Sequence, residues 1–447
     1  MNATSVWAQP ALAATADSVL ATLDARFKGD RTGACVVAAR IDGGQVVRAR
    51  TCAQPRSGAE PGYDSVFEIG SVTKTMTAFL VADLVAEGLW SLDDPLARHL
   101  PPGTVVPRQG ERQILVRDVL SHTSGLPGLP PGFFPANPSD PYAGLSETSV
   151  LAALGRVQLS RPIGSRFEYS NFAMMLVSLA VARSCGGDFE SALTQRLLLP
   201  LKMDGACVER PRSQRPVATG HLASGAATSD WHVANNLAGM GMVRATLDDM
   251  VIYAQAHLGQ ADPALVATLR RTQQPLQGQT GMNWMRFNVK GRDLLAHEGG
   301  TGGFSSLVVL EPQAQRAVVI LADASLVDLD GLGALGHALL DIDGPPLRPR
   351  LPSTPSARLL AAMPGDYDLG GLNLRILRDG RRLMAQAEGQ AAFELKHDSE
   401  GDFYPDGFSA LLTPQWAHGK VDRAIWRQDG GVVEVTRKGT PTQSTAE

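Results

Sequence analysis

Apolar positions recur at helical spacing in some stretches of the chain and at strand spacing in others. Ser18 to Phe27, Ser71 to Glu87 (closed by Gly88), Asn171 to Arg183, Ser191 to Leu199, Leu247 to Leu258, Pro263 to Arg271 and Leu332 to Leu340 read as helices. The run from Ala173 to Ala182 is apolar on every face, which predicts a buried helix. Gly33 to Ala53 alternates about Asp42-Gly43-Gly44-Gln45, so it reads as a β-hairpin on a two-residue primed turn. From Leu294 the period changes: HEGGTGGFSSLVVLEPQAQRAVVILAD holds two apolar runs around Glu311-Pro312, a second hairpin. Between Pro101 and Pro162 the density of Pro and Gly predicts surface loops.

A change of style follows. Residues 345–357 form a stiff Pro-rich linker, and beyond them Leu372 to Ala387, Ala391 to Lys396 and Arg423 to Arg437 read as short strands around Asp379-Gly380 and Asp429-Gly430-Gly431. The expected organisation is a tail or export-signal remnant over 1–17, a main domain over 18–344, the linker, and a small β domain, barrel or sandwich, over 358–447. Thr440 to Glu447 reads as a disordered tail.

Composition changes this picture little. Across 447 residues, 41 Lys and Arg against 45 Asp and Glu leave a net charge of −4, so there is no electrostatic case for nucleic acid. No apolar run reaches the length of a membrane span. The first 14 residues contain no Lys or Arg, yet Ala11-Leu12-Ala13 has the form of an export cleavage site. An arbitrary tail and the remnant of a signal beginning upstream both fit.

The 4 cysteines favour an oxidising compartment, periplasmic or secreted. Counting outward from the Gly43-Gly44 turn places Cys35 opposite Cys52 on a non-hydrogen-bonded rung, where strands approach most closely. Cys185 is then left to pair with Cys207. Free thiols are the competing reading.

Three short motifs carry chemistry. Ser71-Val72-Thr73-Lys74 opens a helix, and three residues advance a helix by about 300°, so Ser71 and Lys74 share a face. A lysine buried among Met76, Phe79 and Leu80 has its pKa lowered and can take the serine's proton. The backbone N–H of Ser71 is placed to stabilise an oxyanion. In Tyr169-Ser170-Asn171, a tyrosine beside an ammonium can titrate lower and shuttle protons, while the Asn171 amide can bind a substrate carbonyl. The bland reading is a core tyrosine with Asn171 capping the next helix. In His297-Glu298-Gly299-Gly300-Thr301, glycines let an edge strand approach a ligand backbone to backbone. No Gly-Lys-Ser/Thr follows, no second zinc histidine is spaced from it, and no G-x-S-x-G elbow occurs. His122, in Leu120-Ser121-His122-Thr123-Ser124-Gly125-Leu126-Pro127, reads as structural, and the remaining histidines lack metal-ligand spacing.

Taken in this order, the motifs resemble the serine β-lactamase and penicillin-binding-protein superfamily, in its class C β-lactamase and D-alanyl-D-alanine carboxypeptidase branch. Phe67 to Lys74, Leu92-Asp93-Asp94-Pro95 and the Leu120 to Pro127 loop add to the likeness, which covers about residues 18–340. The C-terminal region is similar, more weakly, to the lipocalin-like domain of some members. The resemblance implies an α+β fold: an antiparallel sheet flanked by helices, an inserted helical domain, and the site between them. It also implies that Ser71 is acylated, that Lys74 and Tyr169 handle its proton, and that Asn171 binds the substrate amide. The oxyanion hole falls to the N–H groups of Ser71 and Gly300, beside Gly299, and no metal or cofactor is called for. His297 stands where most β-lactamases have lysine. With an ordinary pKa near 6.5 it is expected to be mostly neutral at pH 7 and to gain charge below that value. The expected activity is therefore that of a serine hydrolase on small-molecule or peptide amides and esters. A true class C-like β-lactamase, a thioesterase of the penicillin-binding-protein type and a non-hydrolysing penicillin-recognition protein are the alternatives. Oligomeric state is not legible.

Overall fold

The computed structural model describes residues 14–55, 59–417, 420–428 and 430–439. The proposed cleavage site near Ala13 and the Thr440 to Glu447 tail lie outside the described residues.

A six-stranded antiparallel sheet runs in the spatial order Gln45–Cys52, Cys35–Asp42, Arg316–Ala322, Ser305–Glu311, Arg292–Gly300, Met285–Val289. The central strands Cys35–Asp42, Ser305–Glu311 and Arg316–Ala322 are buried along almost their whole length, as their unbroken apolar sequences require of strands covered on both faces. Helices Ala16–Phe27 and Gly333–Leu339 pack one face through Leu23, Phe27, Leu335 and Leu339. The other face carries Leu247–His257 and, beyond it, the larger helical core.

The first hairpin forms as its sequence predicts. Asp42 pairs with Gln45 across Gly43-Gly44, Cys35 faces Cys52, and the two are disulfide-bonded with Cα atoms 4.0 Å apart. The second expected bridge does not form. Cys185, half-buried at the C-cap of helix Asn171–Ser184, sits beside Arg196, whereas buried Cys207 is held through its backbone against Arg244; both are free thiols. Their sequence spacing carried no register information of the kind the hairpin supplied.

The helical domain is inserted between the second and the last four strands of this sheet in chain order. Its centre is two helices, Thr73–Ala86 and Asn171–Ser184, each buried over most of its length. The stretch expected to be loop contains two short helices, Val116–Leu120 and Glu147–Leu154, the second opened by a reciprocal Ser146–Ser149 capping box. Among the described residues no single helix is long and apolar enough to cross a membrane.

At the C-terminus eight strands close into a barrel: Gly365–Leu369, Leu372–Asp379, Arg382–Ala387, Phe393–Asp398, Phe403–Tyr404, Leu411–Ala417, Lys420–Gln428 and Gly431–Arg437. Closure comes from pairing of the first strand with the last and of Lys396 and His397 with Tyr404 and Phe403. Tyr367, Ile376, Leu383, Phe403, Leu412 and Val435 fill the interior. The Pro-rich segment, read as a stiff linker, packs against the barrel. Pro352 and Ser353 pair with Asp398 and His397, and the buried Arg350 guanidinium bridges Asp398 at 3.1 Å and Asp402 at 2.7 Å. Arg31, from the other domain, reaches the same Asp398 at 3.0 Å. Tyr404 and Leu411 join the apolar layer under the main sheet, so the barrel is docked on it.

Candidate active site

Ile69 follows the short strand Phe67–Glu68, and Gly70–Val72 form a tight turn of 3₁₀ helix that leads into Thr73–Ala86. Gly70 has φ +48°, and a Cβ there would lie 2.6 Å from the Gly300 nitrogen. At Gly299 a Cβ would meet the Ile69 carbonyl oxygen at 2.1 Å. Only glycine at both places lets the turn bearing Ser71 press against the edge of strand Arg292–Gly300. Ser306 fastens the join by donating its hydroxyl to the Ile69 carbonyl at 2.7 Å.

Lys74 is fully buried. Its Nζ lies 2.9 Å from Ser71 Oγ, and its other partner is the Met240 carbonyl. Burial alone drives its pKa well below the ordinary lysine value. A neutral amine has two N–H groups and one lone pair. With one N–H on Met240, the lone pair is free to accept the Ser71 proton.

Tyr169 lies across the same group, with Nζ 4.8 Å from its ring centroid, and its hydroxyl hydrogen-bonds Ser71. The expectation that an adjacent ammonium lowers its pKa is reversed. Burial around the hydroxyl pushes the phenol up and the Ser71 bond only partly opposes this, although the side chain as a whole is 37% exposed. The phenol is therefore a proton donor at neutral pH.

Asn171 does not cap its helix. Ser170 does, its hydroxyl accepting from the Ala173 N–H at 2.9 Å. Asn171 is thereby left to line the cleft: its Nδ2 donates to the Tyr142 hydroxyl at 3.4 Å, and its buried Oδ1 has no partner among the described residues.

His297 sits on the neighbouring strand, its ring centroid 6.3 Å from that of Tyr169. It is buried, and its Nδ1 donates to the Glu298 carbonyl at 2.9 Å. Burial first, then Lys74, lowers its pKa to about 3. The expected gain of charge below pH 6.5 is overturned. The neutral ring spends its one N–H on its own strand, so it offers a substrate carboxylate neither charge nor donor.

These groups open on a cleft of about 910 Å³ lined by Ser71, Tyr169, Asn171, Gly299 and Gly300. One wall is aromatic: Phe133 stacks on Tyr142 at 5.6 Å, and Trp231 meets Tyr142 edge-on at 5.3 Å. The other wall is acidic, with Glu298, Asp328 and Asp330 and no lysine or arginine among the described lining residues. Gly430 of the barrel closes this side, its N–H donating to Asp328 Oδ1 at 3.0 Å. Sequence reasoning missed Met240, Asp328 and Gly430, because no short-range pattern marks a residue that meets the site only through the fold. It also set aside His122, which lies directly behind Tyr169. Among the described residues no group of three His, Cys, Asp or Glu side chains is arranged to hold a metal.

Comparison with known proteins agrees with this geometry. D-alanyl-D-alanine-carboxypeptidase/endopeptidase AmpH of Escherichia coli (strain K12) is 28% identical over 308 residues, covering 64% of this chain and 78% of its own. Penicillin-binding protein 4* of Bacillus subtilis (strain 168) is 24% identical over 412 residues, covering 84% and 88%. The crystal structure of SurE superposes with a TM-score of 0.59 at 26% identity, covering 94% of this chain and 98% of that one, so the likeness extends over the barrel. Residues 20–332 match the beta-lactamase family, and the chain belongs to that family of serine hydrolases.

Proposed function

We propose that the protein hydrolyses peptide, amide or ester bonds through an acyl-enzyme on Ser71, in the manner of a D-alanyl-D-alanine carboxypeptidase, D-aminopeptidase or esterase. The observation that carries this reading is the buried Lys74 amine 2.9 Å from Ser71 Oγ, which has no role in a pure binding protein. Lys74 takes the serine proton as Oγ attacks the substrate carbonyl. The N–H groups of Ser71 and Gly300 receive the developing oxyanion. Tyr169, protonated, delivers a proton to the leaving group, and its phenolate recovers one from the Lys74 ammonium. Asn171 Oδ1 is placed to accept a substrate amide N–H. Water then attacks the ester by the reverse route.

The name of AmpH supports peptides ending in D-alanine as one substrate class. The neutral His297, with no lysine or arginine among the described lining residues, argues against strong recognition of the carboxylate a β-lactam presents, which places β-lactamase activity second. The Cys35–Cys52 bridge supports an exported, periplasmic or secreted protein. The test is a panel of chromogenic esters, D- and L-aminoacyl amides and a cephalosporin, each with a Ser71→Ala control. Ester or D-amide turnover above cephalosporin turnover is expected. Cephalosporin hydrolysis faster than every ester and amide would establish the β-lactamase instead.

A further inference from the structure

His122 is buried, holds a left-handed backbone at φ 56° that few side chains adopt, and sits in the loop after helix Val116–Leu120. From there it grips the Tyr169 segment at both ends. Its carbonyl accepts the Glu168 N–H at 2.7 Å, and its ring Nδ1 accepts the Ser170 N–H at 3.2 Å. Tyr169 is the residue between. The imidazole also backs the phenol ring, with centroids 4.5 Å apart and planes inclined by 34°. Because Nδ1 accepts, the ring proton resides on Nε2, on the side of Asn283. An imidazolium would set a donor against the Ser170 N–H and release the grip. Burial keeps the ring neutral down to about pH 3.

We propose that His122 is a positioning residue for Tyr169: two hydrogen bonds fix the backbone on either side of the tyrosine and the imidazole face fixes its ring, so that the phenol is held at Ser71. The proposal rests on the assignment of Tyr169 to proton transfer, and it explains why an imidazole occupies a left-handed turn where glycine or asparagine would be less strained.

Two substitutions separate turn geometry from positioning. His122→Gly keeps the left-handed turn and removes acceptor and ring; His122→Asn keeps the turn and an acceptor oxygen close to the place of Nδ1. Acylation by a p-nitrophenyl ester is measured for each in the Tyr169 and Tyr169→Phe backgrounds, and the crystal structure of His122→Gly is determined. His122→Gly should slow acylation roughly tenfold, the scale expected when one hydrogen bond and one ring–ring interaction are removed together. His122→Asn should recover part of that loss. In the Tyr169→Phe background the same change should cost less than about twofold, because the two residues act as one unit. The Tyr169 hydroxyl should be displaced from Ser71 in the crystal structure. Equal losses in both backgrounds, or a Tyr169 that stays in place, would overturn the proposal. Full activity in Tyr169→Phe alone would remove the tyrosine from the mechanism; the crystal structure would still decide whether His122 positions it.

Discussion

At the scale of single residues, the site depends on which groups burial leaves uncharged. Lys74 has no counter-ion among the described residues to restore its ammonium form, so its lowered pKa favours the free base as the pH falls from the ordinary lysine range. Activity should persist until the pH crosses that lowered value and be lost below it, as the base becomes protonated. His297 titrates at about 3, so it adds no step near pH 6.5. The kcat/KM profile of His297→Gln should share the acid limb of the wild type; a limb that moves would return the histidine to the titrating set. Lys74→Ala and Tyr169→Phe should each slow acylation by at least ~10², the usual scale for acid–base groups. A fluorophosphonate adduct should map to Ser71, and an adduct elsewhere would refute the assignment. Lys74 and its serine were legible because their spacing is a property of one helix. The raised phenol pKa was not, since it depends on how much of the chain gathers over Tyr169.

At the scale of elements, the join between the Gly70–Val72 turn and strand Arg292–Gly300 is decisive. Gly70→Ala combines an unfavourable left-handed backbone with a Cβ driven into Gly300, so a loss of about 1–3 kcal/mol is expected from the strain alone. The collision adds to it, and thermal unfolding together with slower Ser71 labelling would measure both. The first hairpin shows the opposite case. Its two-residue turn sets the register of every rung, so the Cys35–Cys52 pair could be read by counting. Peptide mapping without reductant should recover that pair, and alkylation of the unfolded protein should find Cys185 and Cys207 free. Removing the bridge should cost roughly 3 kcal/mol on the chain-entropy scale. Strand Met285–Val289 escaped sequence reading because it is short and weakly alternating, and the full extent of Arg292–Gly300 was obscured by its polar start and glycine end.

At the scale of the whole molecule, the barrel and the catalytic domain meet through ions as well as apolar contacts. Arg350 and Arg31 neutralise a buried Asp398 from opposite sides of the boundary. Arg350→Ala should destabilise the protein by about 3–5 kcal/mol, since it leaves the buried Asp402 without a cation and Asp398 with Arg31 alone. Changing Asp402 to Asn in that background should recover part of the loss, with Asp398 left to Arg31. A chain ending near residue 350 would bare the apolar layer that Tyr404 and Leu411 cover and remove Gly430 from the cleft. It is expected to keep Ser71 labelling, since the hydrogen-bond partners of Lys74 among the described residues are Ser71 and Met240, both outside the barrel, and to discriminate less among larger substrates. By itself the sequence determined whatever is set by neighbours a few residues apart: the helices, the hairpin with its bridge, the Ser71–Lys74 face and the β character of the C-terminus. Each rests on a local period or turn that long-range packing only completes. The tertiary structure decided the rest: the Met240 carbonyl on Lys74, His122 behind Tyr169, the acidic wall, the barrel's share in the cleft and the charge state of every titrating group in the site. Burial and electrostatic environment are sums over residues distant in the chain, and no local pattern encodes them.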